Sequence, residues 1–331
     1  MPTVVYVGRG EFEMSKGLMI KILALVLVVA CFSVLLCMDR IIDGNKKDDT
    51  DHDTYQPTGL VAYNGENYRL RSDVRTILFI GNAPSDAIPA EDCRNATEAQ
   101  FLTLLVLDDT AKTYTVIEIA PSTYTTVFAG KTSVENCISM AHSYGVKGKV
   151  TPISMTQSAV QRLLDGIRVE GSVDMPLTSV SALVDELGGV EITPIEGDQH
   201  VDASLVPGTA VKITGALAYR YLEKPTAGEG QDETALLARR VNFMQAFYRE
   251  VKKITSNYEK LSALLSKAEG LDYFGMTFTD LYGVFKTMQD YRYAGSYVPE
   301  GTYANESGKN IFRVNEEQLK QYVVKTFCET R

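Results

Sequence analysis

The chain has 331 residues, 45% of them hydrophobic, enough to bury one large core or two smaller ones. Its formal net charge is −9 and its pI is near 5.0, which argues against a general nucleic-acid binder, because phosphate affinity rests on basic surface. The five cysteines lack zinc-type spacing, and the three histidines (His52, His142, His200) have no ligand spacing to one another.

Residues 1–17 are a short polar tail. Leu18–Met38 follows as a run of apolar residues long enough for a bilayer, with Lys21 placed to reach the interface. A cleaved signal peptide is the competing reading, but Cys37-Met38-Asp39 is a poor cleavage site. We expect a single uncleaved transmembrane anchor. Arg9, Lys16 and Lys21 before it and Arg40, Lys46 and Lys47 after it leave the positive-inside rule undecided. The bulk of the chain lies beyond the anchor, so the expected orientation puts the N-terminus in the cytoplasm and the domain outside. Residues 39–59 are acid-rich and read as a solvated linker rather than a metal site.

The folded part, 60–331, opens with an apolar strand at Thr76–Ile80 and a long polar loop from Gly81 to Glu98. Phe101–Leu107 and Tyr114–Ile119 read as a hairpin turning through Asp108–Lys112. Cys93 and Cys137 are either bridged or free and packed. Met155, Ala159, Val160, Leu163 and Leu164 mark a helix that Gly166 stops.

Gly171–Pro194 reads as strand, helix and strand. Val173–Met175 is the first strand, and Thr178 or Ser179 is the expected cap. Val180, Leu183, Val184 and Leu187 form the helix's apolar stripe, Gly188-Gly189 its stop, and Val190–Thr193 the returning strand. Within one sheet such a unit crosses over right-handed. Beyond a Pro207-Gly208 turn come Ala216–Tyr221, a polar loop Lys224–Asp232 and a long helix to about Ile254. In that helix Arg240 falls within the apolar face and Arg239 nearer the polar side. Helices at Tyr258–Ala268 and Thr277–Tyr291, a strand at Ser296–Val298 and a helix at Asn315–Phe327 close the chain. No Gly-Lys-Ser/Thr completes a P-loop, and no nucleophile elbow supports a Ser/His/Asp triad.

Thr115-Val-Ile-Glu-Ile-Ala-Pro-Ser-Thr123, Ile138-Ser-Met-Ala-His-Ser-Tyr-Gly145 and Leu183-Val-Asp-Glu-Leu-Gly-Gly-Val190 occur in that order. Pro207-Gly208, Ala216-Leu-Ala-Tyr219 and the Arg239-Arg240 helix follow them. Together they resemble the extracytoplasmic domain of the LytR–CpsA–Psr (LCP) family over about Arg75 to Phe327. The resemblance implies an α/β domain, with a central mixed β-sheet covered by helices on both faces, held at the outer face of a Gram-positive-type cell. It also implies transfer of a glycopolymer from a polyprenyl-(di)phosphate carrier to peptidoglycan. An apolar pocket would hold the lipid, arginines the phosphates and aspartates Mg²⁺.

The chain departs from that pattern at the positions that carry charge. Gln100 and Ser122 stand where relatives have the metal aspartates, and Pro121 where they have an arginine. Neutral side chains supply no charge, so Mg²⁺ affinity should fall. Arg220 is offset by one place from the family's first arginine after Ala-Leu-Ala-Tyr, and Leu236 replaces an arginine on the long helix. Arg220, Arg240 and Arg239 are the phosphate-binding candidates. Matching the downstream Phe243-Met244 selects Arg239, whereas helical phase selects Arg240. The competing reading pairs Arg220 or Arg240 with Glu118 or Glu223. Arg94 and Lys224 read as solvated, and His142 and Tyr144 as packing residues. Two functions remain open: a divergent transferase, or a non-catalytic membrane-anchored module or scaffold that binds lipid or polymer.

Overall fold

The apolar run that starts at Ile77 becomes the middle of a sheet, because alternate side chains along it have packing partners on both sides. The structure, a computed structural model, describes residues 57–84, 95–129, 132–145, 150–223, 233–306 and 308–329. The chain divides into Met1–Asp51 and His52–Arg331. The expected tail (1–17), anchor (18–38) and most of the linker (39–59) lie outside the described residues, as do Cys93, Arg94 and Lys224. Among the described residues no helix is long and apolar enough to cross a membrane.

Strands β1 (Leu60–Tyr63) and β2 (Glu66–Arg69) form a hairpin. Next, β3 (Val74–Pro84), β4 (Thr97–Asp108) and β5 (Thr113–Glu118) pair antiparallel in succession. The expected hairpin through Asp108–Lys112 is present, and the Asp108 carboxylate accepts from the Ala111 N–H at 2.7 Å. A second hairpin, β6 (Tyr124–Ala129) and β7 (Thr132–Cys137), leads to a 3₁₀ segment at Ile138–Tyr144. Helix α1 (Pro152–Leu163) is capped by the Thr151 hydroxyl and ends before Gly166, whose φ is +85°. Then come β8 (Gly171–Pro176), α2 (Val180–Glu186), β9 (Val190–Ile192), β10 (Val211–Ile213), α3 (Gly215–Leu222) and α4 (Glu233–Lys252). The rest is α5 (Tyr258–Leu265), β11 (Asp272–Phe274), α6 (Phe278–Met288), β12 (Arg292–Tyr297), the hairpin β13 (Gly301–Glu306) and β14 (Lys309–Val314), and α7 (Glu316–Phe327).

The central sheet has six strands in the order β11-β8-β3-β4-β5-β12. It is mixed: β3 with β8 and β5 with β12 run parallel, the other pairs antiparallel. Leu78, Ile80, Leu102 and Leu104 face α1 and α7, burying against Ile153, Val160, Leu319 and Val323. Ile77, Leu105 and Val173 face the other way, against Tyr248 of α4 and Leu281 and Met288 of α6. Helices therefore flank both faces, as expected.

Two local expectations fail. The chain enters α2 through a 3₁₀ turn at Leu177–Ser179, and neither Thr178 nor Ser179 caps it; the Ser179 hydroxyl donates instead to the Glu269 carbonyl at 2.9 Å. The strand after α2 does not return to the central sheet either. Gly188 and Gly189 do take positive φ, but β9 pairs with β10 in a separate two-stranded ribbon. The reason lies in packing. Val190 and Ile192 bury with Val184 and Ile213 against Phe243 of α4, so the ribbon braces that helix.

Candidate functional site

Strand alternation builds the first candidate site. Phe79 and Gly81 of β3, Phe101, Thr103 and Leu105 of β4, and Tyr114 and Val116 of β5 share the sheet face beneath α4. Phe243, Met244, Phe247 and Tyr248 of α4 close over them, enclosing an apolar cavity of about 110 Å³. That is less than the roughly 300 Å³ at which ligand pockets usually begin. Met175, Met244 and Met288 also line it, and unbranched side chains of this kind repack readily. Gly81 is required at the end of the cavity, since a Cβ there would lie 2.9 Å from Phe101 Cβ and 3.1 Å from Leu177 Cδ1.

A charged pair behind the cavity wall follows from the same alternation. Two residues beyond Val116 on β5 stands Glu118, directly opposite Thr103 in the ladder, and the Thr103 hydroxyl donates to Glu118 Oε2. Glu118 is 0% exposed. Burial pushes its carboxyl up to about 8, against the opposing pull of Arg240 and the Thr103 hydrogen bond. One turn before Met244, Arg240 lies over the Phe101 ring at 5.3 Å and is also 0% exposed. Its Nε and Nη2 donate to the Leu222 carbonyl at 3.2 and 3.1 Å. Burial lowers it to about 10, with Glu118 and Glu233 pulling the other way. No ion pair among the described residues includes Arg240.

Arg239 was expected nearer the polar side of the helix, yet it is only 6% exposed. Tyr221 of α3 covers it, its ring 6.0 Å from the guanidinium, and the Arg239 Nε donates to the Tyr221 carbonyl at 3.2 Å. The two arginines thus hold successive carbonyls at the C-terminal end of α3, where backbone acceptors lack helical partners and a positive charge suits the dipole. Of the two, Arg240 rests on Phe101 and Leu222, which line the cavity. Arg220 goes elsewhere. Its side chain is 53% exposed and pairs with Asp202 at 2.7 Å, not with Glu118 or Glu223. Ser204 and Arg220 together hold the Asp202 carboxyl down to about 2. Glu223 accepts from the Tyr219 hydroxyl at 2.9 Å.

Gln100 and Ser122 do come together, in a separate polar cleft of about 530 Å³. Glu98, Glu233, Asn305 and Lys309 also line it, residues that sequence reasoning did not single out. Glu98 was legible as the same-face neighbour of Gln100 on β4; Glu233 needed the fold. Gln100 Nε2 donates to Glu98 Oε1 at 2.6 Å, and the Ser122 hydroxyl donates to Glu233 Oε2. Gln100 therefore presents an N–H, and Ser122 has committed its proton to a carboxylate. Magnesium asks for several oxygen ligands converging on one point. Among the described residues no three acidic, His or Cys side chains cluster that way. The residues at these two positions do not fit a resident Mg²⁺.

His142 packs, as expected. Its Nε2 lies 3.1 Å from Asp174 Oδ2 and its Nδ1 2.9 Å from the Thr97 hydroxyl, while Asn82 donates to Asp174 Oδ1 at 2.8 Å. This buried network ties the 3₁₀ segment to β3, β4 and β8. Tyr144 is buried, and its hydroxyl accepts from Asn136 at 3.1 Å.

The fold and cavity define an α/β domain whose apolar chamber lies between a mixed sheet and one long helix, with a buried cation packed on its wall. No protein-family model matches the chain, and no curated protein matches it by sequence. Solved structures do. TagT bound to LIIa-WTA is similar with a TM-score of 0.59 at 19% identity, over 77% of this chain and 91% of that one. The crystal structure of Bacillus subtilis TagT gives 0.57 at 17% identity, over 82% and 97%. The LytR-CPS2A-psr family protein YwtF (TagT) with bound octaprenyl pyrophosphate lipid gives 0.56 at 16%, over 82% and 98%. The domain is LCP-like in fold.

Proposed function

We propose that this domain binds the polyprenyl-phosphate end of a lipid-linked cell-envelope glycopolymer. One observation carries the reading: a fully buried guanidinium with no contact counter-ion among the described residues packs on Phe101 and Leu222, which wall an apolar cavity. The apolar walls suit a prenyl tail once the methionines that line them repack to widen the cavity, and an anionic phosphate balances Arg240 in a setting of low dielectric, where the attraction is strong. The similar fold with bound octaprenyl pyrophosphate supports the same ligand class. In this reading the Leu18–Met38 segment holds the domain at the outer face of the cell membrane, beside its lipid.

The finer step is transfer of the polymer to peptidoglycan. Gln100 and Ser122, neutral and already engaged with Glu98 and Glu233, favour instead a binding module without metal-assisted chemistry. Equilibrium binding of a fluorescent polyprenyl diphosphate to the wild type and Arg240→Met, with and without Mg²⁺ and with phosphate release followed in parallel, tests both. Saturable binding that is indifferent to Mg²⁺ and weakened at least about tenfold in R240M is expected, since a charge-assisted contact of this kind contributes roughly 1.5–3 kcal/mol. Unchanged affinity in R240M would sink the reading. Metal-dependent cleavage would establish the transferase, and binding without cleavage the module.

A further inference from the structure

Two buried groups packed behind the cavity's wall each keep an atom with nothing to bind. Glu118 Oε1 and Arg240 Nη1 have no hydrogen-bond partner, and neither residue meets solvent. Leaving such atoms unpaired costs free energy, and most of all at charged groups. Their shared position, beside Thr103, Phe101 and Leu222 of the cavity wall, makes that cost a preparation for an occupant.

We propose that Glu118, as the neutral acid, is a specificity-determining hydrogen-bond donor to the anion that Arg240 holds, so that the site takes up a phosphate headgroup and retains a proton with it. The inference rests on the lipid-phosphate reading of the cavity and adds to it the protonation state of the site.

Geometry carries the argument. The Thr103 hydroxyl fixes Oε2 as an acceptor, so the acid proton belongs on Oε1, the unpartnered oxygen. A carboxylate at that place would stand beside the incoming phosphate with no water to screen the two charges, and like charges in such a site do not both ionise. The neutral acid converts that repulsion into an O–H···O⁻ bond. The groups acting on Glu118 are few: Thr103 from β4 and Arg240 from α4. Glu233 and Arg239 act on Arg240 from the same helix. Burial outweighs Arg240 at Glu118, and the acid holds its proton up to about pH 8.

The sign of the effect follows. Anion binding raises the Glu118 pKa further, so affinity is full below about pH 8 and falls as pH rises above it, by up to tenfold per unit. The test is farnesyl diphosphate binding to the full chain in detergent micelles between about pH 7 and about pH 9, comparing wild type with Glu118→Gln. Glutamine keeps an oxygen for Thr103 and an N–H for the anion but has no proton to lose. The wild type should lose about fivefold affinity relative to E118Q between pH 8 and 9, since the protonated fraction falls from about one half to about one tenth; titration of the ligand itself is common to both and cancels. Calorimetry at about pH 8.5 in two buffers of different ionisation heat should show the wild type taking up about three quarters of a proton per ligand more than E118Q. Identical pH profiles, or equal proton uptake in the two proteins, would overturn the role of Glu118 and leave the lipid-phosphate reading standing. Absence of saturable binding in both proteins would overturn that reading and this inference together.

Discussion

Burial of Glu118 has a consequence for stability that needs no ligand. In the unfolded chain this side chain titrates near 4.5, and in the fold at about 8. Between those values the folded protein holds a proton that the unfolded chain has released. Its contribution to stability is therefore fully present below about pH 4.5 and is lost as pH rises, at about 1.4 kcal/mol per unit, until about pH 8. Across the window this amounts to roughly 5 kcal/mol, a large share of the 5–15 kcal/mol that separates a typical native domain from its unfolded state. Glu118→Gln removes the titration while keeping an acceptor for Thr103. The difference in unfolding free energy, E118Q minus wild type, should lie within about 1 kcal/mol of zero at about pH 5, climb with that slope, and level off near pH 8. Urea unfolding followed by circular dichroism and tyrosine emission, at each unit from about pH 5 to about pH 9, measures it. A difference that does not change with pH would mean that Glu118 is ionised in the fold throughout, and the burial argument would fail with it.

Two further substitutions probe the cavity. Gly81→Ala places a methyl 2.9 Å from the Phe101 Cβ, which the β4 backbone holds in place. It should destabilise by about 1–3 kcal/mol in urea unfolding and weaken polyprenyl diphosphate binding; a neutral result on both would show that the cavity end is slack. Arg220→Ala removes an exposed pair with Asp202, so stability should change by less than about 1 kcal/mol and lipid affinity by less than about twofold. A tenfold loss of affinity there would return Arg220 to the phosphate site.

The sequence made the central sheet legible because its strands carry near-continuous apolar runs, as in Thr76-Ile-Leu-Phe-Ile80, bounded by polar turns. It made α4 legible because Val241, Phe243, Phe247 and Val251 keep helical spacing. The hairpins β1–β2 and β13–β14 were missed for the opposite reason: mostly exposed strands such as Glu66–Arg69 and Gly301–Glu306 bury too little to leave an alternation. Helical phase correctly put Arg240 against the cavity wall. It misjudged Arg239 because phase measures distance from one apolar stripe, whereas α3 and the β9–β10 ribbon add a second buried side to the helix. The destination of Arg220 was not legible, since Asp202 lies 18 positions away in a loop without periodic signal. Glu118 could have been found. A carboxylate two places after Val116 on the covered face of a strand breaks the expected pattern, and such breaks fall at functional sites more often than elsewhere.

The charges left in the two cavities bear on what each can receive. The polar cleft has Glu98 and Glu233 on its walls against Lys309, and its remaining lining mixes amides and hydroxyls with apolar residues such as Met140 and Leu236. An anion entering there would meet more negative than positive charge, while uncharged hydroxyl-rich groups would meet acceptors and donors of both kinds. The apolar cavity is the reverse. Against its wall stand one guanidinium and one acid that remains neutral below about pH 8, a net positive pair with two hydrogen-bonding atoms that lack partners. On the proposed reading the lipid phosphate therefore belongs at Arg240, and the sugar of a lipid-linked polymer belongs toward the cleft lined by Leu236, one helical turn earlier on α4. A single cation with a neutral donor balances one phosphate charge well and a fully ionised diphosphate poorly. On that reading the proton on Glu118 matters at Arg240, because an ionised carboxylate there would oppose the phosphate that the guanidinium attracts.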